Sequence, residues 1–258
     1  MAELLSPVTL VVGAQRGIGY ACAEAFARAG GSVALADLPG STVGEARDRI
    51  GGGSSAHTVD VADASSVTRL VDEVVAVHGR LDVVVNAAAL LVVRSFLELR
   101  PEEWERTLAV NAGGTVLLAQ RAARQFISQG GGGRIIAFAS ILSRTARPNN
   151  IAYSASKAAV VQAVRCMALE LAPHRITVNA ISPGSTATEM LVDVQAGGDP
   201  DVLDGVVRGD ASAWRLGVPL GRLADPEDQA ALAVFLASPA AGHITGQEIA
   251  VDGGQSVV

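Results

Sequence analysis

Tyr153 and Lys157 stand four residues apart in Tyr153-Ser154-Ala155-Ser156-Lys157, and Ser140 lies thirteen residues before the tyrosine. On a helix, positions i and i+4 stack on one face, so a phenol and an ammonium point into the same site. The phenol can act there as a base only if its ionisation is eased. The ordinary tyrosine pKa is ~10, and each tenfold gain in acidity corresponds to about 1.4 kcal/mol. Reaching ~7 to 8 therefore takes roughly 3–4 kcal/mol of preferential stabilisation of the phenolate, part of which a neighbouring ammonium supplies. Ser140 is placed to hold a substrate oxygen; the alternative is one more small residue at a strand end. Helices put two residues at this spacing by chance, so the pair alone identifies no reaction.

A second motif narrows the choice: Gly13-Ala14-Gln15-Arg16-Gly17-Ile18-Gly19. It follows an apolar strand pattern and opens an apolar helix, the context that a phosphate-cradling glycine loop requires. Glycines let the backbone approach a pyrophosphate, and the helix N-terminus supplies N–H groups and positive potential. Its spacing is Gly-x-x-x-Gly-x-Gly rather than the commoner Gly-x-Gly-x-x-Gly. Such a loop and a tyrosine base on one chain point to hydride transfer with a nicotinamide cofactor. Asp37 ends the next predicted strand. A carboxylate there accepts hydrogen bonds from ribose hydroxyls and repels a 2′-phosphate, which favours NAD over NADP. Arg16 pulls the other way, because a guanidinium beside the loop can bind a phosphate. Asp37 carries more weight, since its position reads the ribose directly. Asp60, at the following strand end, has room to touch the adenine, although a solvated strand-end residue would look the same. Gln15 and Ile18 of the loop, with Leu38 and Val61 beside the two carboxylates, complete the expected cofactor surface in this half.

Short apolar runs alternate with longer amphipathic segments along the whole chain. Strands are predicted at Thr9-Val12, Ser32-Ala36, His57-Val59, Leu81-Val85, Arg134-Ala139, Ile176-Ile181 and Glu248-Val251. Helices are predicted from Gly17 to about Ala29, at Thr42-Ile50, Ala64-Val77 and Ala152-Leu171, and from Asp225-Pro226 to about Ala237. A long helix opens at Pro101, which the first turn tolerates, and runs through Asn111 to about Ser128. This alternation implies parallel strands with helices on both faces, and strands buried on both sides explain runs such as Leu81-Val85. The expected fold is one α/β domain over residues 1–258, a Rossmann-type doubly wound parallel sheet. The region from Ser182 to about Gly217 fits the alternation least, and a long irregular substrate lid is expected at about 185–217.

Composition excludes several function classes. The 258 residues carry 20 basic and 26 acidic side chains, a net charge of −6, which opposes binding to nucleic acid or an anionic membrane. No basic segment followed by an apolar run opens the chain, and no apolar stretch is long enough to span a bilayer. The expected location is the cytoplasm. Aromatic residues are only 3%, so the core must be built from Ala, Val, Leu and Ile. Cys22 and Cys166 are expected to be small buried hydrophobes. The four histidines, His57, His78, His174 and His243, lack metal-ligand spacing, and no metal is expected.

Together these residues resemble the short-chain dehydrogenase/reductase superfamily over essentially the whole chain. The resemblance rests on the Gly13–Gly19 loop, Asn86-Ala87-Ala88-Ala89, Asn111, Ser140, Tyr153, Lys157, Pro183-Gly184 and Val251-Asp252-Gly253-Gly254. It implies that Asn111, Ser140, Tyr153 and Lys157 form a catalytic tetrad. By the same resemblance Lys157 binds the nicotinamide ribose and Asn111 holds a water in a proton relay. Asn86 and Ala88 would contact the cofactor, and Pro183, Gly184, Thr186 and Thr188 would line the nicotinamide. Two departures stand out. Val12 replaces the usual Thr and loses a hydroxyl that could tie the first strand region to the fourth. Ala87 and Ala89 replace the Asn and Gly of Asn-Asn-Ala-Gly.

A narrower resemblance is to the 2,3-dihydro-2,3-dihydroxybenzoate dehydrogenases of catechol siderophore synthesis. It rests on Gly19-Tyr20-Ala21, Arg147, the string from Pro183 to Met190, Arg215 to Leu220 and His243-Ile244-Thr245. It implies an NAD-dependent enzyme that oxidises a ring hydroxyl of a cyclohexadiene carboxylate, with Tyr153 as base. The substrate would be 2,3-dihydro-2,3-dihydroxybenzoate or its amino analogue dihydro-3-hydroxyanthranilate. Arg147 would grip the carboxylate with two hydrogen bonds, and Met190 would line the substrate pocket; a solvated loop residue is the alternative for Arg147. Leu90-Leu91-Val92-Val93 and the lid depart from that group. An NADPH-dependent oxoacyl or carbonyl reductase is a second reading, and a non-catalytic nucleotide-sensing scaffold is a third. The helices Arg100 to Ser128 and Ala152 to Leu171 are apolar on more than one stripe. With the family resemblance, this leads to the expectation of a homotetramer.

Overall fold

The computed structural model describes residues 7–195 and 200–257. Seven parallel strands form its centre: β1 (Val8–Val12), β2 (Ser32–Asp37), β3 (Ser55–Thr58), β4 (Val83–Asn86), β5 (Gly133–Phe138), β6 (Ile176–Pro183) and β7 (Glu248–Val251). Their order in the sheet is β3-β2-β1-β4-β5-β6-β7. All five residues of β1 are buried, as a central strand covered on both faces must be. The winding direction reverses between β1 and β4, which pair in register from Thr9↔Val83 to Val12↔Asn86. A crevice opens at such a reversal, outside the carboxyl ends of the strands.

Helices cover both faces. On one side lie α3 (Ala64–His78), α5 (Gly114–Gln129) and α6 (Ile151–Leu171), which pack Leu70, Phe126 and Val164 onto the sheet. On the other lie α1 (Gly17–Arg28), α2 (Val43–Ile50) and α9 (Pro226–Ala237), which contribute Phe26, Ala46 and Leu236. The faces are dominated by Ala and Val, so helices sit close to the sheet. Start signals act as their chemistry dictates. The Asp63 carboxylate accepts the Ser65 N–H and caps α3, and Asp225 with Asp228 forms a capping box ahead of Pro226 in α9.

The long helix from Pro101 has one interruption. It runs as α4 (Pro101–Leu108), a π-helical turn (Ala109–Gly113) and then α5. A π turn widens the helix by one residue and re-aims the side chains inside it, here including Asn111. Three expectations need correction. The third strand begins at Ser55 and ends at Thr58, because it pairs with β2 from Ala34↔Ser55 to Asp37↔Thr58, while Val59 lies past the ladder. Cys166 is exposed on α6, whereas Cys22 is buried and its thiol is pushed up to about 12 by burial. The segment 185–217 is not irregular throughout: it holds α7 (Glu189–Gln195) and α8 (Pro200–Arg208). Among the described residues no helix is long and apolar enough to cross a membrane.

Candidate active site

A cavity of about 1120 Å³ lies over the carboxyl ends of the central strands. Its wall gathers Gly13, Gln15, Arg16, Gly17, Ile18 and Gly19 from the first βα turn. Asp37, Leu38, Asp60, Val61 and Ala88 follow from the next strand ends. Ser140, Arg147, Tyr153 and Lys157 come from β5 and α6, and Pro183, Gly184, Thr186, Thr188 and Met190 from beyond β6. Residues that are distant in sequence therefore line one site.

The glycine loop is shaped by close backbone approach. Gly13 has φ +80, and a Cβ there would lie 2.6 Å from the Ala88 nitrogen. A Cβ on Gly19 would lie 1.9 Å from the Gly13 carbonyl oxygen. Neither position accepts a side chain. The Ala87 N–H donates to the Val12 carbonyl at 2.8 Å, so β1 is tied to β4 through the backbone despite the missing hydroxyl. Arg16 precedes α1 in extended conformation, and no side chain among the described residues caps the helix. The first-turn N–H groups of α1 are thus left for a ligand, and with the helix dipole they favour an anion.

Asp37 sits beside this anion seat. Its carboxylate accepts the Gln15 N–H at 2.9 Å and the Leu38 N–H at 2.8 Å, which fixes its orientation on the wall. The Arg16 guanidinium reaches Asp193 on α7 at 3.2 Å and so links the loop to the segment that follows β6. Asp60 accepts the Ala62 N–H at 2.9 Å and an Arg106 N–H at 3.0 Å. These groups fit a dinucleotide: a dipole and free amides for phosphate, and a carboxylate where a ribose would lie. Among the described residues no group of three or more His, Cys, Asp or Glu could hold a metal ion.

Deeper in the cavity the Ser140 hydroxyl hydrogen-bonds the Tyr153 hydroxyl. Ser140 Oγ also accepts the Leu142 N–H at 3.2 Å, which fixes the serine at the end of β5. Lys157 is only 2% exposed and donates to the Phe138 carbonyl oxygen at 2.7 Å. Burial pushes the Tyr153 hydroxyl up to about 12, and the hydrogen bond from Ser140 offsets this only in part. Burial pulls the Lys157 ammonium down to about 8. The protein alone therefore does not poise Tyr153 near neutrality, as the Tyr–Lys spacing suggested it would begin to. Desolvation outweighs the Ser140 hydrogen bond, and further positive charge in the cavity is needed to favour the phenolate.

Two expected site residues lie behind the wall rather than on it. The Asn86 amide donates to Thr115 Oγ1 at 2.9 Å, and its Oδ1 accepts the Ala88 N–H at 3.3 Å. Asn111 is fully buried in the π turn. Its amide donates to the Leu90 carbonyl and to Ser156 Oγ, both at 2.9 Å, and its Oδ1 accepts the Leu90 N–H at 2.7 Å. The Asn111 side chain thus pins the chain after β4 to α6, three residues past Tyr153. A side chain so occupied does not reach into the cavity.

Other wall residues carry no local sequence signal. Gln255, 6% exposed, receives the Ser185 N–H at 2.8 Å and donates to the Leu216 carbonyl at 3.1 Å, joining the C-terminus to both ends of the segment after β6. Trp214 and Arg215 line the cavity from that segment. Glu248 accepts hydroxyl hydrogen bonds from Ser143 at 2.6 Å and Ser182 at 2.7 Å, and so braces the turn that follows Ser140.

Comparison with known proteins agrees with this geometry. The Enoyl-(Acyl carrier protein) reductase family matches residues 13–256. A 2,3-dihydro-2,3-dihydroxybenzoate dehydrogenase of Escherichia coli (strain K12) is 39% identical over 247 residues, 96% of each chain. A D-threitol dehydrogenase of Mycolicibacterium smegmatis is 38% identical, covering 97% of this chain and 93% of that one. The crystal structure of gox2181 superposes with a TM-score of 0.88 at 29% identity, over 99% of this chain and 98% of that chain.

Proposed function

The chain belongs to the short-chain dehydrogenase/reductase family and is an oxidoreductase, and from this premise we propose that it is an NAD-dependent dehydrogenase of a dihydro-hydroxybenzoate-type cyclohexadiene carboxylate. The substrate is 2,3-dihydro-2,3-dihydroxybenzoate or its amino analogue dihydro-3-hydroxyanthranilate. One observation carries the proposal: Ser140, Tyr153 and Arg147 share one cavity wall. A proton acceptor and a cation for a carboxylate are both within reach of one small ring. Burial pulls the Arg147 guanidinium down to about 10, a cost that a bound anion removes. The similarity to the Escherichia coli dehydrogenase supports the same substrate class.

The geometry supports the following roles. Gly17, Ile18 and Gly19 would hold the pyrophosphate on the N-terminus of α1, and Asp37 would take the ribose hydroxyls. Arg16 is turned toward Asp193 in an exposed ion pair, so the ribose position is left to Asp37. A nicotinamide held there would supply the acceptor for the hydride, with its electron pair, that leaves the carbinol carbon. Tyr153, as the phenolate that added positive charge in the loaded site favours, takes the hydroxyl proton on Oη as the C=O bond forms. Ser140 Oγ holds the same oxygen. Lys157 contributes positive charge beside the phenol and would supply a donor for the nicotinamide ribose. Asn111 acts through Leu90 and Ser156, not by touching substrate. The product ketone then moves its remaining ring proton to oxygen and becomes aromatic, which makes the reaction effectively one-way. Residues 185–217 act as the lid, with Met190 over the ring.

The same reading includes a cytoplasmic homotetramer that binds neither nucleic acid nor membrane. Val116 and Ile127 on α5 and Leu169 on α6 are exposed apolar residues suited to a partner subunit. Light scattering at micromolar protein is expected to give a tetramer mass. Substrate identity is tested by offering purified protein NAD+ or NADP+ with either acid, or with D-threitol, and following cofactor reduction and aromatic product. Turnover of an acid with NAD+ is expected. Turnover of D-threitol alone would reject the substrate and keep the reaction class. Preference for NADPH with a ketone substrate would favour the reductase reading.

A further inference from the structure

Resting on that reading of the substrate, we infer that Arg215 is a second, lid-borne anchor for its carboxylate, acting together with Arg147 from the body of the domain. Both side chains line the same cavity. Arg147 belongs to the chain between β5 and α6, whereas Arg215 follows α8 in the segment beyond β6. The Arg215 Nε is buried and finds no hydrogen-bond partner among the described residues. An orphaned, buried donor of a cation is costly and marks a place where an acceptor belongs.

The backbone of Arg215 is held in place for this role. Its N–H donates to the Asp210 carbonyl and its carbonyl accepts the Asp210 N–H, each at 2.8 Å. Trp214, just before it, is held at φ 52, a left-handed conformation that costs a bulky residue free energy. The Asp210 carboxylate lies near enough to feel the Arg215 charge, but its Oδ1 accepts the Ser212 N–H, the Ser212 hydroxyl and the Ala213 N–H, and among the described residues it forms no ion pair with Arg215. Arg215 in turn lies close enough to Arg147 for its charge to help lower the Arg147 guanidinium, after burial.

Two cations brought together in a partly desolvated cavity repel each other, and an anion between them reverses the sign of the interaction. A carboxylate is suited to this: its two oxygens offer about four acceptor positions, enough for two guanidinium groups. Because one arginine is on the lid and the other is not, a bridging carboxylate draws the lid onto the domain. A ring diol without the carboxylate cannot do so. Arg215 therefore selects acids and couples their binding to closure.

The test is calorimetric binding of 2,3-dihydroxybenzoate and of catechol, which lacks the carboxylate, to the full chain with saturating NADH. Wild type, Arg215→Gln and Arg215→Lys are compared, with thermal unfolding to confirm that each is folded. Loss of a charge-assisted hydrogen bond corresponds to about a 10- to 100-fold weakening. Arg215→Gln is expected to weaken the acid by that factor and catechol far less, and Arg215→Lys to recover part of the loss. Arg215→Gln that binds the acid like wild type overturns the anchor, as does equal weakening of both ligands. Wild type that binds neither ligand yet oxidises another alcohol rejects the proposed substrate and the anchor with it. Wild type that binds the acid while Arg215→Gln is unaffected rejects the anchor alone.

Discussion

Lys157 Nζ lies 5.6 Å from the centre of the Tyr153 ring. The i,i+4 spacing brings the two into one buried site, while the Phe138 carbonyl takes a Lys157 N–H at 2.7 Å. Each group is displaced toward its neutral form, Tyr153 to about 12 and Lys157 to about 8. The site is thus short of positive charge until ligands arrive.

Lys157 is the only lysine in the chain, so its titration can be read without ambiguity from a lysine-labelled sample. Its resonance is expected to titrate near pH 8 in the ligand-free protein. Below that pH both folded and unfolded chains carry the proton, and burial of the charge costs stability in full. From about pH 8 to 10.5 only the unfolded chain holds the proton, so stability rises with pH relative to a neutral residue. Lys157→Met is therefore expected to stabilise the fold by about 1–3 kcal/mol near neutrality. That gain should fade across the same interval in denaturant titrations. An ordinary lysine titration would show that the site is wetter than the structure places it.

Asn111 supplies three hydrogen bonds from a fully buried side chain. Asn111→Ala leaves the Leu90 N–H and carbonyl, and the Ser156 hydroxyl, short of partners, at about 1–3 kcal/mol for each buried group left unsatisfied. A loss of about 2–4 kcal/mol in chemical denaturation is expected, with a fall in kcat as Tyr153 loses its support through Ser156. A variant as stable as the wild type would mean that the network is dispensable.

Two backbone hydrogen bonds aim the Asp37 carboxylate at the wall, where the proposed function gives it the choice of cofactor. Asp37→Ala is expected to lower kcat/KM for NAD+ about 10- to 100-fold, the worth of a hydrogen bond to a charged group. The disadvantage of NADP+ should shrink, because the repulsion of a 2′-phosphate goes with the carboxylate. Equal losses with both cofactors would assign Asp37 to the loop structure alone.

Local patterns made the α/β fold and most of the cavity wall readable in advance. Gly13, Gly17 and Gly19 are spaced for backbone approach, strand ends announce Asp37 and Asp60, and helical periodicity joins Tyr153 to Lys157. What local pattern cannot carry is the direction a side chain takes after tertiary packing. Asn111 is read correctly as lying in the long helix, yet the π turn aims its amide at Leu90 and Ser156 instead of the cavity. Asn86 is likewise turned toward Thr115. Glu248 and Gln255 act across 66 and 70 residues, a separation with no periodic trace. Helices α7 and α8 were hidden by the Gly and Asp content around them. Cys166 sits in an apolar helix, but on a face that the sheet does not cover.

In the proposed reaction, hydride leaves the carbon whose hydroxyl Ser140 and Tyr153 hold. The most direct measurement is a single turnover of the cyclohexadiene acid, deuterated at the carbinol carbon, with NAD+ on wild type and on Tyr153→Phe. Wild type is expected to place the deuterium in NADH and release the aromatic acid. Tyr153→Phe should stay folded and react more slowly by about 10² to 10⁴-fold, the usual contribution of a positioned proton acceptor. Deuterium lost to solvent, or a Tyr153→Phe protein that reacts at the wild-type rate, would contradict the account.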